Sequence, residues 1–361
     1  MFVVTNRKLN ENAKGLEVFG KVPNEKGCNE LRLVEVTGTG KNIRTHATED
    51  QLSEDEVKKL IKKFHLEIDP GKKWFGSLKA ACAIYEKARR EKRHLLVYVH
   101  GYNNDMGDVL KTCRELEALY DVVVLAFSWP ANGGGIAGYP AYLSDKRDAR
   151  ASSDALNRTI EKIGFFHEKL TEGLRKKLQK KAYRDSTDNP LAAQIKYAEL
   201  LDQECGIKLN LICHSMGNYV LKYALFPGGS QARALTFDNI SLVAADANNE
   251  RHQQWVELLP VRNRLYIVIN EGDFALKWSR RKPGDEQLAR LGHYLKNLNA
   301  TNATYLNVTR ASWVKGDHSY FLGDPVKKNK ALKELFKEAL EGGVAEETTL
   351  YRAEGNYYEL R

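Results

Sequence analysis

The pentapeptide Cys213-His214-Ser215-Met216-Gly217 follows the apolar run KLNLI and precedes NYVLKYAL. A serine is thereby set where a buried strand turns sharply into a helix. A nucleophile on such a bend needs strained backbone angles, with small residues two before and two after, because the turn presses those positions against neighbouring backbone. Gly217 meets that demand, and Cys213 is small enough to stand where glycine is usual. The bend lifts the Ser215 hydroxyl above the strand ends. It also aims the N–H of Met216, at the helix start, toward a developing oxyanion.

Such a serine needs a base and an acid. Three histidines follow it: His252 in an expected helix (NNERHQQW), His293 after RLG, and His318 in VKGDHSYFLGD, a glycine-containing loop beyond ATYLNVT, read as the last strand. The chain order nucleophile, acid, base selects His318. The acid is Asp273, ending RLYIVINEGD, or Asp246, ending NISLVAAD; either could hold the imidazole tautomer and stabilise the imidazolium. Glu271 competes on the Asp273 loop, and Asp317 is expected to shape the turn beside His318. VYVHGYNND (97–105) ends another buried strand. There Gly101 permits close backbone approach, Tyr102 is the expected second oxyanion donor, and His100 is expected to orient the loop by hydrogen bonding.

The elements that must position these residues alternate. HLLVYVH (94–100), DVVVLAFSW (121–129), KLNLICHS (208–215), NISLVAAD (239–246), RLYIVINEGD (264–273) and ATYLNVT (303–309) read as strands, mostly buried on both faces, with helices between. That rhythm is α/β, with a mainly parallel central sheet covered by helices on both faces. The span from Trp129 to Lys208 is too long for one crossover, so a helical cap is expected at about 155–205. Ser53 and Glu56 form a capping-box pattern before a helix to about Phe64, and a second helix is expected over Trp74 to Lys92. Residues 1–93 read as an N-terminal extension or small lobe, with FVVT, LEVF and LRLVEV as strands. Residues 94–345 are the catalytic domain, and 346–361 a polar tail.

HGYNN (100–104), FSWPANG (127–133) followed by Tyr142 and Asp145, CHSMGN (213–218), AADANNE (244–250), GDFAL (272–276), RLG (290–292) and GDHSYF (316–321) stand in this order across 94–322. In these pieces the chain resembles a bacterial family of α/β-hydrolases of unknown function. The resemblance implies that fold and Ser215, Asp273 and His318 as a triad, and it favours Asp273 over Asp246. It implies no defined substrate.

The chemistry expected is acyl transfer to water, a carboxylic ester being cleaved through an acyl-enzyme without a metal or organic cofactor. A thioester or amide substrate would use the same groups, and a non-catalytic effector or binding module is the rival from another class. Hydrophobic residues are 42% and charged residues 29% of 361, a composition that gives a sizeable core and excludes a disordered chain. Five scattered cysteines without a CxxC pair argue against a disulfide framework or zinc site, and Cys213 is expected to be a buried, inert thiol. The net charge of +9 is partly local, gathered in KLTEGLRKKLQKKAYR (169–184), where Leu170, Leu174 and Leu178 make a narrow apolar stripe. A packed helix with a solvated basic face is the plain reading, and a lid touching an anionic membrane the functional one. No motif for specific nucleic-acid binding is present. Trp129 and Tyr139 are candidates to line an acyl pocket or simply to fill the core. The start MFVVTNRKLN has no signal-peptide run, and a cytoplasmic location is expected, with export by a route that uses no N-terminal signal as the alternative.

Overall fold

The computed structural model describes residues 1–10, 12–131, 139–186, 189–204, 206–226, 234–280 and 289–360; the glycine-rich stretch 132–138 and Cys205 lie outside them. The apolar runs from residue 94 onward become strands because their side chains are shielded on both faces. β6 (His94–Val99), β7 (Val122–Ser128), β8 (Leu209–His214), β9 (Asn239–Val243), β10 (Arg264–Ile269) and β11 (Thr304–Asn307) are almost wholly buried. They lie side by side in the order β7-β6-β8-β9-β10-β11, every pair parallel. With the helices on both faces, this is the expected α/β-hydrolase fold.

Both ends of the chain extend that sheet. β1 (Phe2–Thr5) pairs parallel to β7, with Val3 opposite Ala126. β4 (Arg32–Thr37) runs antiparallel to β1, and β5 (Arg44–Ala47) antiparallel to β4. Residues 1–93 are therefore not a lobe apart. LEVF is mostly a 3-10 turn, Gly15–Val18, and β3 (Phe19–Pro23) pairs beside it with β2 (Arg7–Leu9). The polar tail is not loose either, nor is β11 the last strand. β12 (Leu350–Arg352) and β13 (Tyr357–Glu359) form a hairpin whose second strand pairs parallel to β11, and Glu359, nearly buried, accepts two hydrogen bonds from Arg352. Three-residue strands carry too little periodicity to be read in advance.

Helices close both faces. α1 (Glu54–Phe64) starts at the expected capping box: Ser53 Oγ accepts from Glu56 N–H, and Glu56 accepts from Ser53 N–H at 2.9 Å. α2 (Gly76–Glu91) and α3 (Met106–Leu119) flank β6 in sequence and join different cores, one on each face. α4 (Tyr139–Ala151) and the 33-residue α5 (Ser153–Asp185) follow β7, and α6 (Pro190–Glu204) returns the chain to β8. α7 (Gly217–Ala224), α8 (Gln253–Val256) and α9 (Phe274–Arg280) follow β8, β9 and β10, and α10 (Gly323–Lys328) and α11 (Lys330–Glu341) both follow β11.

The insertion is helical, but it is not a lid over Ser215. α5 lies along the sheet through Leu156, Ile160 and Phe166 and serves as the crossover helix. Gly164 packs against Thr236, just before β9, and Gly173 against the backbone of His65 at the end of α1. The rest of α5 and α6 form a hairpin with its own small core of Leu178, Ala182 and Leu200. α6 leads to Leu209, the first residue of β8, whereas Ser215 follows its last. β8 spans about 20 Å at ~3.3 Å per residue, so the hairpin projects from the edge opposite Ser215. A 33-residue helix, about 50 Å at ~1.5 Å per residue, outruns any strand here, and its surplus must leave on the side from which β8 starts.

Candidate active site

Ser215 sits between β8 and α7 with φ +52°, a left-handed angle rare for a side chain of this kind. The bend is pinned from several sides. Ser215 N–H donates to Val243 O at 3.0 Å, and Ser215 O accepts from Asp246 and Asn218 N–H. The buried amide of Asn218 donates to the carbonyls of Cys213, Ser215 and Val243. The two small residues have the predicted steric purpose. A Cβ on Gly217 would lie 2.6 Å from Val99 O, and one on Gly101 would lie 2.7 Å from Ser215 Cβ. Among the described residues the N–H of Met216 donates to no acceptor. Cys213 is fully buried, its thiol pushed up by desolvation, which agrees with an inert packing role.

His318 and Asp273 meet: His318 Nδ1 lies 2.7 Å from Asp273 Oδ2, with Asp273 fully buried and a quarter of the His318 side chain exposed. Burial opposes charging of the ring, but the hydrogen bond and charge of Asp273, helped by Asp246 and Asp317, prevail, so the His318 pKa stands above the ordinary imidazole value. The His318 loop is fixed beside the elbow. His214 Nε2 donates to His318 O at 3.1 Å, and the two rings are 4.7 Å apart. Asn270 donates to the carbonyls of Lys315 and Asp317. Tyr320 receives Ala244 N–H and donates to Val268 O. Among the described residues the Ser215 hydroxyl has no hydrogen bond to His318, a link that in such sites often tightens only with substrate.

His100 is buried and neutral, its pKa lowered to about 3 by desolvation and then by Arg7. Its ring is held on both sides: Nδ1 lies 2.9 Å from Gly101 O, and Nε2 lies 3.2 Å from both the N–H and the carbonyl oxygen of Trp129. The Trp129 indole stacks on it 5.0 Å away, and its Nε1–H donates to His100 O. Trp129 is fully buried in this clasp and packs in the main core; the Tyr139 side chain lies outside the described residues. Arg7, from the far N-terminus, is buried beneath the loop and donates to the carbonyls of Asn104 and Ala131. Tyr102 packs edge-on against Tyr142, the ring centroids 5.5 Å apart.

Asp246 has other partners than His318. Ser279 Oγ donates to it at 2.6 Å, Tyr142 OH at 3.1 Å, and Arg290 forms a buried ion pair at 3.0 Å. This accounts for the RLG sequence: Arg290 pairs with Asp246, Leu291 is core, and a Cβ on Gly292 would come within 2.2 Å of Ala245 N. Glu271 accepts from Leu295 N–H, and Asp317 accepts from Ser319 N–H within its own turn. His252 is a core residue bonded to Tyr305 OH, and His293 is buried. Sequence reading passed over His214, Asn218, Asn270, Arg7 and Arg290. His214, Asn218 and Arg290 had a signal, as letters of the quoted motifs CHSMGN and RLG, but nothing in the sequence gave them these roles.

No helix among the described residues is long and apolar enough to cross a membrane. No curated protein and no solved structure matches the chain. Residues 79–169, from α2 to midway along α5, match the family model described as alpha/beta hydrolase of unknown function (DUF900); this stretch includes the Gly101 loop and ends before Ser215. The sheet order and this match together make the chain an α/β hydrolase by fold, similar over that segment to the family whose motifs it resembles.

Proposed function

We propose that the chain is a serine hydrolase that cleaves a carboxylic ester. The observation that carries this reading is the 2.7 Å contact between His318 and Asp273, on loops that Asn270 ties to each other and His214 ties to the Ser215 elbow. His318 Nε2 takes the Ser215 proton as Oγ bonds to the carbonyl carbon. The N–H groups of Met216 and Tyr102 receive the oxyanion. As the tetrahedral carbon collapses, the bond to the alkoxy group breaks, and His318 returns the proton to the departing alcohol. Water then attacks the acyl-enzyme with His318 as base, and the carboxylic acid and free Ser215 result. Asp273 keeps the His318 proton on Nδ1 in the resting ring and stabilises the imidazolium.

A chromogenic short-chain ester should be turned over by the wild type and not by folded Ser215→Ala. A fluorophosphonate probe should label the former alone. Labelling that survives Ser215→Ala, or ester turnover equal in both proteins, would end this reading and favour the binding-module alternative.

A further inference from the structure

A cavity of about 590 Å³ lies on the face of the sheet that carries α2 and α5, and none of the proposed catalytic or oxyanion residues lines it. Its lining takes in residues from β8, β6, β7, β1 and β4 and from the turn after β5. Those elements are successive neighbours in the sheet. At ~4.8 Å per strand, a slot crossing them extends about 24 Å. Its walls are apolar. Val4, Leu33 and Leu125 form the floor, and Ala81 and Ile84 of α2 with Ile163 of α5 form the roof. All six are only partly buried although they face the middle of the fold. The cavity opens to solvent along its rim, and its volume falls in the range of ligand sites. Length and apolar walls suit one extended hydrocarbon chain.

The polar lining says what the other end of that chain must be. Four cationic residues, Arg158 and Lys162 among them, are matched by four carboxylates, Glu49 and Asp50 among them, so the slot offers no net charge to an ion. His167 also lines it, and its buried Nδ1 has no hydrogen-bond partner. A desolvated ring nitrogen without a partner loses free energy that one ligand hydroxyl or carbonyl would restore. It is poorly suited to a carboxylate, whose own desolvation it could not offset.

We propose that this slot binds an uncharged single-chain lipid, of the fatty-alcohol or monoacylglycerol class, with its chain between α2 and the sheet and its oxygen at Nδ1 of His167. The site is separate from Ser215 and does not depend on hydrolysis there. The test is a titration of the full chain with hexadecanol and with palmitate, read by displacement of a fluorescent long-chain alcohol. Hexadecanol should saturate at micromolar concentration and bind at least ten-fold more tightly than palmitate. Ala81→Trp, which fills the slot, should weaken it at least ten-fold. His167→Leu should weaken the alcohol about five-fold and leave a plain alkane unaffected. Ser215→Ala should bind as wild type. Absence of saturation, preference for palmitate, or undiminished binding by folded Ala81→Trp would overturn the proposal. Should Ala81→Trp not fold, a photoreactive hexadecanol analogue on the wild type decides: adducts within 76–85 or 158–167 support the slot, and adducts confined elsewhere refute it.

Discussion

At the level of single residues, the two buried acids near Ser215 are separated by what each touches. Asp273 gives one oxygen to His318, whereas Asp246 is held by Arg290, Ser279 and Tyr142. Asp273→Asn should then lower kcat/KM for an ester by about 10⁴-fold, the scale of a lost tautomer-setting acid, and Asp246→Asn far less. The pH profile supplies a second reading. His318 acts as a base only when neutral, so activity rises with pH through its pKa. Asp273 holds that pKa up. The acid limb of the wild type should have its midpoint above the ordinary imidazole value of about 6.5, and the residual activity of Asp273→Asn should have its limb at lower pH. Equal losses from the two variants, with coincident limbs, would show that Asp273 is not the acid. Gly101→Ala tests the opposite wall. The new methyl would stand 2.7 Å from Ser215 Cβ and 3.2 Å from His214 O, so the loop must move. A fall in kcat of about 10²–10³ is expected, the cost of a displaced oxyanion donor, with the chain still folded by circular dichroism. Ser215, His318 and Asp273 were legible because each ends an apolar run or sits in a loop whose order along the chain is restricted. His214, Asn218 and Asn270 were not. Their work is to bind backbone carbonyls of segments far away in sequence, and a lone asparagine or histidine does not announce that.

The elements show the same division. Continuous apolar runs could be read as buried strands, and the Ser53–Glu56 box fixed one helix start almost to the residue. The placement of the helical insertion could not be read, because periodicity gives a helix's length and not the side of the sheet from which it leaves. With its direction known, the basic stretch of α5 becomes an arm remote from the elbow: Lys176 pairs with Glu67, and the apolar stripe is divided between the small hairpin core and the main one. Replacing residues 172–203 by a short Gly/Ser linker should leave kcat/KM for small esters within about two-fold. Neighbouring antiparallel helices lie ~8–10 Å apart, so a few residues bridge the gap. A lid would behave otherwise, since its removal would change chain-length preference and turnover together. A shift of more than ten-fold in a folded deletion variant would restore the lid reading. The same variant, against vesicles of graded anionic content, would tell whether the arm makes the membrane contact proposed for 169–184.

For the whole molecule, burying both faces of one wide sheet has an electrostatic consequence. Histidines taken into the core remain neutral there. Desolvation, with nearby positive charge, lowers His100 and His214 to about 3 and His167 to about 4. A group depressed in the folded state lends stability above its unfolded pKa and withdraws it as pH falls, because the unfolded chain then takes up protons that the folded chain refuses. Each such histidine costs about 1.4 kcal/mol per pH unit once the pH is well below ~6.5. Groups whose pKa is raised oppose this. His318, raised by Asp273, stabilises the folded chain at low pH and loses that contribution as pH rises through its own pKa. Asp148, pushed up to about 6 by burial beside Asp145, likewise binds its proton more readily when folded. Three strongly depressed histidines outweigh the raised groups, because Asp148 takes up its extra proton only near pH 6 and His318 is largely protonated in both states at pH 5. The urea midpoint should therefore fall steadily from pH 7 to pH 5, with a slope equivalent to at least one net proton taken up on unfolding. His100 and His214 flank the elbow, so activity lost over that range should separate into two parts: an immediate, reversible one from protonation of His318, and a slower one that tracks unfolding. A midpoint constant over those two pH units would mean that the buried rings are charged in the folded chain, and the hydrogen-bond pattern that fixes His100 as the orienting group of the Gly101 loop would have to be redrawn.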